Sequence, residues 1–245
     1  RRQMEQLKRE YEKQDRMRRD FTANVSHELK TPLTSISGYA EIIREGMVKS
    51  EDVGRFAGKI YEEAQRLITL VEDILNLSHL DEGAPGQERR QGIDLYALCE
   101  RAVASLAEAA RQRGIAISLT GSRQRVDGAE KLLAEIIFNL CDNAIKYNQE
   151  NGHVAVSVTR EGDRVVLTVQ DTGIGIPPGE TDRVFERFYR VDKSHSKEIG
   201  GTGLGLSIVK HAAAYHDAKI QLDSQLGRGT RVRVLFPLSQ REAQP

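Results

Sequence analysis

The chain has 245 residues, of which 29% are charged, and its 36 basic side chains are balanced by 36 acidic ones. A net charge of zero gives no electrostatic reason to expect binding to nucleic acid or to an anionic membrane surface. No apolar run approaches the roughly 20 residues that cross a bilayer, and the arginine-rich start does not resemble a signal peptide. The length is sufficient for one large domain or two modest ones.

Apolar residues recur at alternating steps of three and four along the first fifty residues, which predicts a long helix with a coiled-coil seam. The seam runs from Met4 to Val25 and continues from Leu29 to Met47. Two successive steps of four, from Val25 to Leu33, interrupt the heptad and predict a local change of supercoil. An ordinary amphipathic helix with an imperfect apolar stripe fits the same spacing.

A histidine lies among polar residues on this helix, in the run S-H-E-L-K-T-P-L from Ser26 to Leu33. His27 and Thr31 are four residues apart and share one helix face. Glu28 is the next residue, so its carboxylate reaches the imidazole only if the helix bends or its rotamer turns back. Pro32 has no N–H for the carbonyl of Glu28 and predicts such a bend.

A second striped helix is predicted from Val53 to Ser78, after a break at Gly46–Asp52. Two striped helices joined by a short loop form an antiparallel hairpin. Because one hairpin buries little apolar surface, we expect it to pair with a second copy as a four-helix bundle. The stretch from Asp81 to Arg90 is polar, contains Gly and Pro, and predicts a linker.

The rest of the chain alternates helix and strand signals, which predicts an α+β sandwich of two layers. Cys99 and Cys141 lie on apolar faces of predicted helices and indicate reduced core residues of a cytosolic protein. The predicted elements are helices at 94–113, 128–147 and 203–216, a strand at 115–119, and hairpins at 154–170 and 219–236. The predicted domains are a coiled-coil helix (1–20), a helical hairpin (21–81), a linker (82–92), the sandwich (93–238) and a tail (239–245).

Four clusters in the sandwich carry chemistry. In the first, Asn139, Asn143, Lys146 and Tyr147 share one broad helix face. Amide oxygens suit Mg²⁺, and a lysine supplies charge for phosphates. A polar helix face in solvent is the alternative.

The second cluster is Asp171-Thr172-Gly173-Ile174-Gly175-Ile176-Pro177, at the end of a predicted strand. Its glycines allow close approach of the backbone to a ligand, and its aspartate is an acceptor suited to the amine of adenine. A tight loop without a ligand would have the same glycines.

The third cluster runs from Gly200 to Ser207 into a helix, whose exposed N–H groups favour phosphate. It is neither a Walker loop nor part of a Rossmann unit. The fourth begins at Phe185 and continues to Ile199. It predicts a lid over the phosphates, with Arg187 and Arg190 as charge stabilisers, although a disordered loop is equally compatible.

The run from Ser26 to Leu33 resembles the H-box of sensor histidine kinases, and the four clusters in this order resemble the N, G1, F and G2 boxes of their GHKL-type ATP-binding domain. The resemblance covers the chain from about residue 20 to 236. It implies that His27 is phosphorylated by ATP and that Glu28 is the general base. Thr31 would position water for dephosphorylation of a response regulator.

The same resemblance implies the nucleotide contacts. Asn143 would be the main Mg²⁺ ligand with Asn139 beside it, Lys146 would contact phosphate, and Tyr147 would pack near the adenine. Asp171 would bind the adenine amine with Gly173, Gly175 and Ile176 around it, and Gly201, Thr202, Gly203, Leu204 and Gly205 would hold the phosphates. Asn139 stands where GHKL ATPases that hydrolyse ATP have a glutamate, which favours transfer to histidine over hydrolysis.

Two positions depart from the family pattern. Asn148 stands where Thr or Ser is common, and His216-Asp217-Ala218 lacks the usual glycine, although aspartate tolerates the left-handed conformation. The resemblance implies the cytoplasmic part of a membrane-tethered sensor that forms a homodimer, uses ATP and Mg²⁺, and passes its phosphoryl group to an aspartate of a receiver domain. The alternatives are a catalytically silent dimerisation scaffold and a GHKL kinase or ATPase with another acceptor.

Overall fold

The computed structural model describes residues 2–81, 88–191 and 201–239. The chain divides into two compact units, one ending at Glu72 and the other beginning at Asp73. Residues 82–87 of the predicted linker, 192–200 of the predicted lid and 240–245 of the predicted tail lie outside the described residues. Within the described parts, no helix combines the length and apolarity needed to span a membrane.

The first unit contains helix α1 (Arg2–Arg44) and the first turns of helix α2 (Val53–Asp81). Between the helices, Gly46 adopts the left-handed conformation with φ 69°, and residues 50–52 form one 3₁₀ turn. Across this connection the rings of Tyr39 and Phe56 meet edge to face with centroids 5.7 Å apart. The break predicted at Gly46–Asp52 is confirmed, and α1 continues as a helix through Pro32.

Much of the apolar surface of α2 stays exposed. Tyr61, Ile68 and Leu75 follow one another at seven-residue intervals and are 66%, 50% and 55% exposed. Residues seven apart lie on the same face of a helix. This exposed stripe is separate from the buried Leu70 and Leu77, so α2 carries an apolar face that the described chain does not cover.

In the residues that the structure describes, the second unit contains three further helices and seven strands. The helices are α3 (Leu95–Gln112), α4 (Glu130–Lys146) and α5 (Gly205–Tyr215). The strands are β1 (Arg90–Asp94), β2 (Ala116–Gly121), β3 (Arg125–Gly128), β4 (His153–Glu161), β5 (Arg164–Asp171), β6 (Lys219–Gln225) and β7 (Gly229–Pro237).

Five of the strands form one sheet in the order β2-β4-β5-β7-β6. Only β2 and β4 are parallel; the other neighbours are antiparallel. In β4, alternate residues Val154, Val156 and Val158 are fully buried. Strand side chains alternate between faces, so one face of the sheet packs against the helices and the other faces solvent. The predicted two-layer α+β architecture is confirmed.

The strands β1 and β3 were not predicted from the sequence. They pair antiparallel in a separate two-stranded sheet. Residues 90–92, which the sequence assigns to the linker, form the start of β1. Both strands are short, and β1 has a polar sequence with a glycine, so neither shows the alternation that indicates a strand.

After α5, where the family pattern has a glycine, this chain has Asp217. It adopts the left-handed conformation with φ 53°, as predicted. The preceding His216 is buried, and its Nε2 accepts a hydrogen bond of 3.0 Å from the backbone N–H of Ala129. Burial lowers the pKa of His216. Its neutral ring joins the end of α5 to the start of α4.

Both cysteines lie in the core, as predicted. Cys99 on α3 and Cys141 on α4 are fully buried and form no disulfide. Burial raises the pKa of the Cys141 thiol to about 12, and it raises the pKa of Cys99 further.

Candidate active site

The histidine predicted as phosphoacceptor lies on the surface of α1. Its side chain is 77% exposed, and its Nδ1 is 3.8 Å from Oε1 of Glu28. The carboxylate therefore lies beside Nδ1 although its residue is next in sequence. The hydroxyl of Thr31 donates a hydrogen bond of 3.1 Å to the carbonyl oxygen of His27. This arrangement leaves Nε2 as the ring nitrogen on the side away from the carboxylate.

The second unit contains a cavity of about 350 Å³ between α4, the sheet and the segments on either side of α5. This is within the range of small-molecule sites, about 300–1,000 Å³. Its wall is mainly aliphatic, with an amide, a carboxylate and a guanidinium among the lining groups. The lining residues are Leu140, Asn143, Ala144, Tyr147, Val169, Asp171, Ile174, Gly175, Ile176, Pro177, Val184, Tyr189, Arg190, Val191, Leu206, Leu222, Leu226, Thr230 and Val232.

Asp171 is the carboxylate of this wall. Its Oδ1 accepts hydrogen bonds from the backbone N–H groups of Gly173, at 2.8 Å, and Thr230, at 3.1 Å. No described residue donates a hydrogen bond to its Oδ2. Burial raises the pKa of Asp171, while the two backbone hydrogen bonds oppose that shift. The carboxylate thus has one oxygen fixed by the protein and one available to a ligand.

The polar face of α4 supplies the next group of side chains. Asn143 and Tyr147 line the cavity, and burial raises the pKa of Tyr147. The amide nitrogen of Asn139 donates a hydrogen bond of 2.9 Å to the carbonyl oxygen of Glu135. Lys146 forms an ion pair of 2.6 Å with Asp142 one turn earlier.

The start of α5 lies against this face of α4. A Cβ atom on Gly205 would be 2.8 Å from Oδ1 of Asn139 and 3.8 Å from Nδ2 of Asn143. A larger residue at position 205 would therefore displace the Asn139 amide. This close approach brings the backbone N–H groups at the N-terminus of α5 beside the two asparagines, which makes this corner of the site suited to phosphate.

The predicted G2 residues form the turn before α5. Gly203 has φ 74°, and its carbonyl oxygen accepts a hydrogen bond of 2.9 Å from the backbone N–H of Phe188. Leu204 is fully buried. Thr202 donates a hydrogen bond of 2.6 Å to Asp73, a residue of the same unit. Gly201 lies near the hydroxyl of Tyr147, which would be 3.0 Å from a Cβ on that glycine.

The two arginines of the fourth cluster lie in different surroundings. Arg190 lines the cavity. Arg187 forms an ion pair of 2.6 Å with Asp81 and lies 3.4 Å from Nε2 of His211, and both partners belong to the same unit. Arg187 is not among the residues that line this cavity, and its assignment to phosphate stays a prediction.

Two family models match separate parts of the chain. Residues 17–83 match the His Kinase A (phospho-acceptor) domain, and residues 128–240 match the histidine kinase-, DNA gyrase B- and HSP90-like ATPase domain. The sensor-like histidine kinase SenX3 of Mycolicibacterium smegmatis is 40% identical over 229 residues, which are 93% of this chain. The chain belongs to the sensor histidine kinases.

Other sensor histidine kinases are also similar to it. WalK of Bacillus subtilis is 36% identical over 95% of the chain, and the phosphate regulon sensor protein PhoR of Pseudomonas aeruginosa is 37% identical over 92%. The chain spans 59% of the length of SenX3, 39% of WalK and 51% of PhoR. The solved histidine kinase AdeS of Acinetobacter baumannii has the same fold, with a TM-score of 0.71 and 23% identity over 86% of this chain and 98% of that one.

Thr230 is a polar contact of this site that the sequence did not predict. Thr230 lines the cavity, and its backbone N–H donates to Asp171. The register of β5 and β7, which pairs Gln170 with Arg231, brings these residues together. A Cβ on Gly229 would be 2.1 Å from the carbonyl oxygen of Asp171, so the glycine before Thr230 is the local signal of this close approach.

Proposed function

We propose that this chain is the kinase core of a sensor histidine kinase that transfers the γ-phosphoryl group of ATP to His27. The phosphoryl group then passes to an aspartate of a response regulator receiver domain. The main support is the carboxylate of Asp171, which lies in an apolar cavity with one oxygen held by two backbone N–H groups. The same chain has an exposed histidine beside a carboxylate, His27 and Glu28.

Adenine recognition is assigned to Asp171. An acceptor with one oxygen bound by two backbone N–H groups has a fixed orientation, and its other oxygen suits the exocyclic amine of adenine. Guanine has a carbonyl oxygen at that position and would face the carboxylate with a second acceptor. Aliphatic residues such as Ala144, Ile176 and Leu222 offer the faces against which a purine ring packs.

The triphosphate is assigned to the corner where α4 meets the start of α5. The N–H groups of α5, the ammonium of Lys146 and the guanidinium of Arg190 supply positive charge near Asn143. The side-chain oxygen of Asn143, in the cavity wall, is a hard ligand that fits Mg²⁺, with Asn139 beside it. Bound Mg²⁺ would neutralise phosphate charge.

Asn139 bears on the reaction outcome. It is an amide, not a carboxylate, and its nitrogen is already bonded to the carbonyl oxygen of Glu135. An amide cannot accept a proton from an attacking water at neutral pH. This supports transfer to a histidine over hydrolysis of ATP.

The acceptor chemistry is assigned to His27 and Glu28. A neutral imidazole that carries its proton on Nδ1 attacks phosphorus through Nε2. The Glu28 carboxylate, whose Oε1 lies 3.8 Å from Nδ1, is proposed to move into contact and accept that proton as the N–P bond forms and the bond to ADP breaks. Thr31, on the face of His27, is proposed to position water when the phosphorylated regulator is hydrolysed.

A second copy of the chain is the proposed partner for the exposed stripe of α2, formed by Tyr61, Ile68 and Leu75. Seven-residue spacing suits helix–helix packing, and covering these side chains in a four-helix bundle would remove them from water. A solved histidine kinase, ThkA, was crystallised in complex with the response regulator TrrA, and a receiver domain is the second proposed partner here. We place this core in the cytoplasm as part of a membrane-tethered sensor, without a role for nucleic acid.

Incubation with γ-labelled ATP and Mg²⁺ tests this function. We expect label on the protein that is lost in acid and retained in alkali, as for phosphohistidine. Bound nucleotide without label would instead favour a catalytically silent scaffold. Acid-stable label would favour another acceptor, and release of inorganic phosphate alone would favour an ATPase.

A further inference from the structure

Asn148, which departs from the family pattern, makes three hydrogen bonds through its side chain. Its Oδ1 accepts from the backbone N–H of Gln149 at 2.9 Å and from the hydroxyl of Thr172 at 3.3 Å. Its Nδ2 donates to the carbonyl oxygen of His153 at 3.2 Å. One amide therefore joins the end of α4, the loop after β5 and the start of β4.

The space around this amide is specifically shaped. A Cβ on Gly152 would be 2.1 Å from Oδ1 of Asn148, so only glycine at that position leaves room for the amide in its observed place. The hydroxyl of Thr172 also accepts a hydrogen bond of 2.9 Å from the backbone N–H of His153. Asn148, Thr172 and His153 thus form a closed set of contacts.

The same loop is attached to the end of α4 at two further points. The backbone N–H of Ile174 donates to the carbonyl oxygen of Tyr147 at 3.0 Å. The side-chain amide of Gln149 donates to the carbonyl oxygen of Gly173 at 3.3 Å. The three residues after Asp171 are therefore each tied to the three residues that follow Lys146.

These contacts determine where the Asp171 carboxylate lies. Gly173 supplies one of the two N–H groups that hold Oδ1 of Asp171. Thr172 lies between Asp171 and Gly173 in the sequence. A shift of Thr172 would move Gly173 and rotate the carboxylate. A serine or threonine hydroxyl in place of Asn148 carries its donor and acceptors on one atom, so it cannot occupy the positions of Oδ1 and Nδ2 at the same time and does not reproduce all three bonds.

We infer that Asn148 is a positioning residue for base recognition, which holds the loop at 172–174 so that Asp171 selects adenine. This inference rests on the proposed function of Asp171. A residue that served only to stabilise the fold would change thermal stability without changing the preference between bases. A positioning residue changes that preference and the KM for ATP, while kcat is retained because the phosphates are assigned to the opposite corner of the site.

The test compares autophosphorylation kinetics with ATP and GTP for Asn148→Ala and Asn148→Asp, with Glu150→Ala as the control. Glu150 is an exposed residue two positions after Asn148, in the same connection between α4 and β4. For Asn148→Ala we expect KM for ATP to rise about tenfold, with the preference for ATP over GTP falling to the same extent and kcat within about twofold. Asn148→Asp keeps both acceptor bonds but sets a carboxylate oxygen against the carbonyl oxygen of His153, so we expect it to lower the preference for ATP as well.

A second pair of variants keeps the inference testable if Asn148→Ala does not fold. Thr172→Val removes the hydroxyl between Asn148 and His153, whereas Thr172→Ser retains it. We expect Thr172→Val to lower the base preference and Thr172→Ser to leave it unchanged, with the double variant of Asn148→Ala and Thr172→Val no worse than Asn148→Ala alone. Folded variants with the base preference of the unmodified protein would overturn the inference. Failure of the unmodified protein to prefer ATP would refute the proposed function of Asp171 instead.

Discussion

His27 has 77% of its side chain exposed on a helix, whereas Asp171 lies in the wall of a cavity with one oxygen fixed by two backbone N–H groups. The first group needs access to a reaction partner and little else from its surroundings. The second needs an exact orientation, which several distant segments provide. Substitutions on the helix should therefore change chemistry at constant nucleotide affinity, and substitutions in the cavity should change affinity first.

The largest expected effect is that of His27→Ala, which removes the attacking nitrogen. Autophosphorylation should fall to background while ATP affinity stays that of the unmodified protein, measured by label incorporation and by calorimetric titration. His79→Ala, at an exposed histidine near the end of α2, is the matched control and should retain the label. Label on the His27→Ala protein at the normal level would show that another residue is the acceptor.

Asn143→Ala tests the other region, the nucleotide cavity. Loss of the amide oxygen should remove Mg²⁺-dependent ATP binding and kinase activity together, because phosphate charge would remain unneutralised. Titrations with ATP in the presence and absence of Mg²⁺ measure both. If affinity with Mg²⁺ did not change, the ligand assignment would be wrong.

Asp171→Ala should weaken ATP binding and reduce discrimination against GTP more than it reduces affinity. Loss of a hydrogen-bonding group that selects a substrate amine can cost about 10⁴-fold in discrimination. Asp171→Asn is the isosteric comparison, since its amide can donate to the carbonyl oxygen of guanine. Competition between ATP and GTP measures both variants, and an unchanged ratio in Asp171→Ala would exclude this residue from base recognition.

The pH dependence of binding follows from the same carboxylate. Burial raises the pKa of Asp171, so protonation begins at a higher pH than for an exposed aspartate. A protonated carboxyl is a poorer partner for the adenine amine, so ATP affinity should fall as the solution is acidified through that raised pKa. Asp171→Asn has no proton to gain and should lack this part of the acid dependence.

The last pair of variants separates two activities on α1, each variant affecting one of them only. Thr31→Ala should keep autophosphorylation within about threefold but lose dephosphorylation of the regulator, because no hydroxyl remains to hold a water. Glu28→Ala should do the opposite, since its carboxylate serves the imidazole only during attack on ATP. Purified phosphorylated regulator, mixed with ADP and each variant, measures the second activity.

Thr31→Val is the control that keeps the β-branched shape before Pro32. It should behave like Thr31→Ala if the hydroxyl matters. Phosphatase activity retained in both Thr31 variants would contradict the assignment.

The two regions also differ in how far the sequence predicts them. The run from Ser26 to Leu33 is continuous, so the helix, the common face of His27 and Thr31, and the proximity of Glu28 are local properties. The contact of Thr230 with Asp171 could not be predicted from the sequence, because it depends on the register of β5 and β7. The strands β1 and β3 were missed because their pairing, not their composition, makes them strands.

Arg187 shows a different difficulty of sequence-based assignment. The sequence places it two residues from Phe185 in a cluster that predicts contact with phosphate, yet its guanidinium pairs with Asp81, more than a hundred residues earlier. A charged residue at the right position of a motif can thus have a partner that no local pattern reveals. The assignment of Arg187 to phosphate remains a prediction.

The two buried cysteines can serve as probes of unfolding in the second unit. With both thiols fully buried and their pKa values raised, an alkylating reagent can reach Cys99 and Cys141 only when the packing between α3 and α4 opens. The alkylation rate therefore reports the opening equilibrium of this unit alone, since the first unit contains no cysteine. A nucleotide that binds the closed form should slow alkylation by the factor 1 + [L]/Kd, which yields an affinity without any assay of phosphoryl transfer.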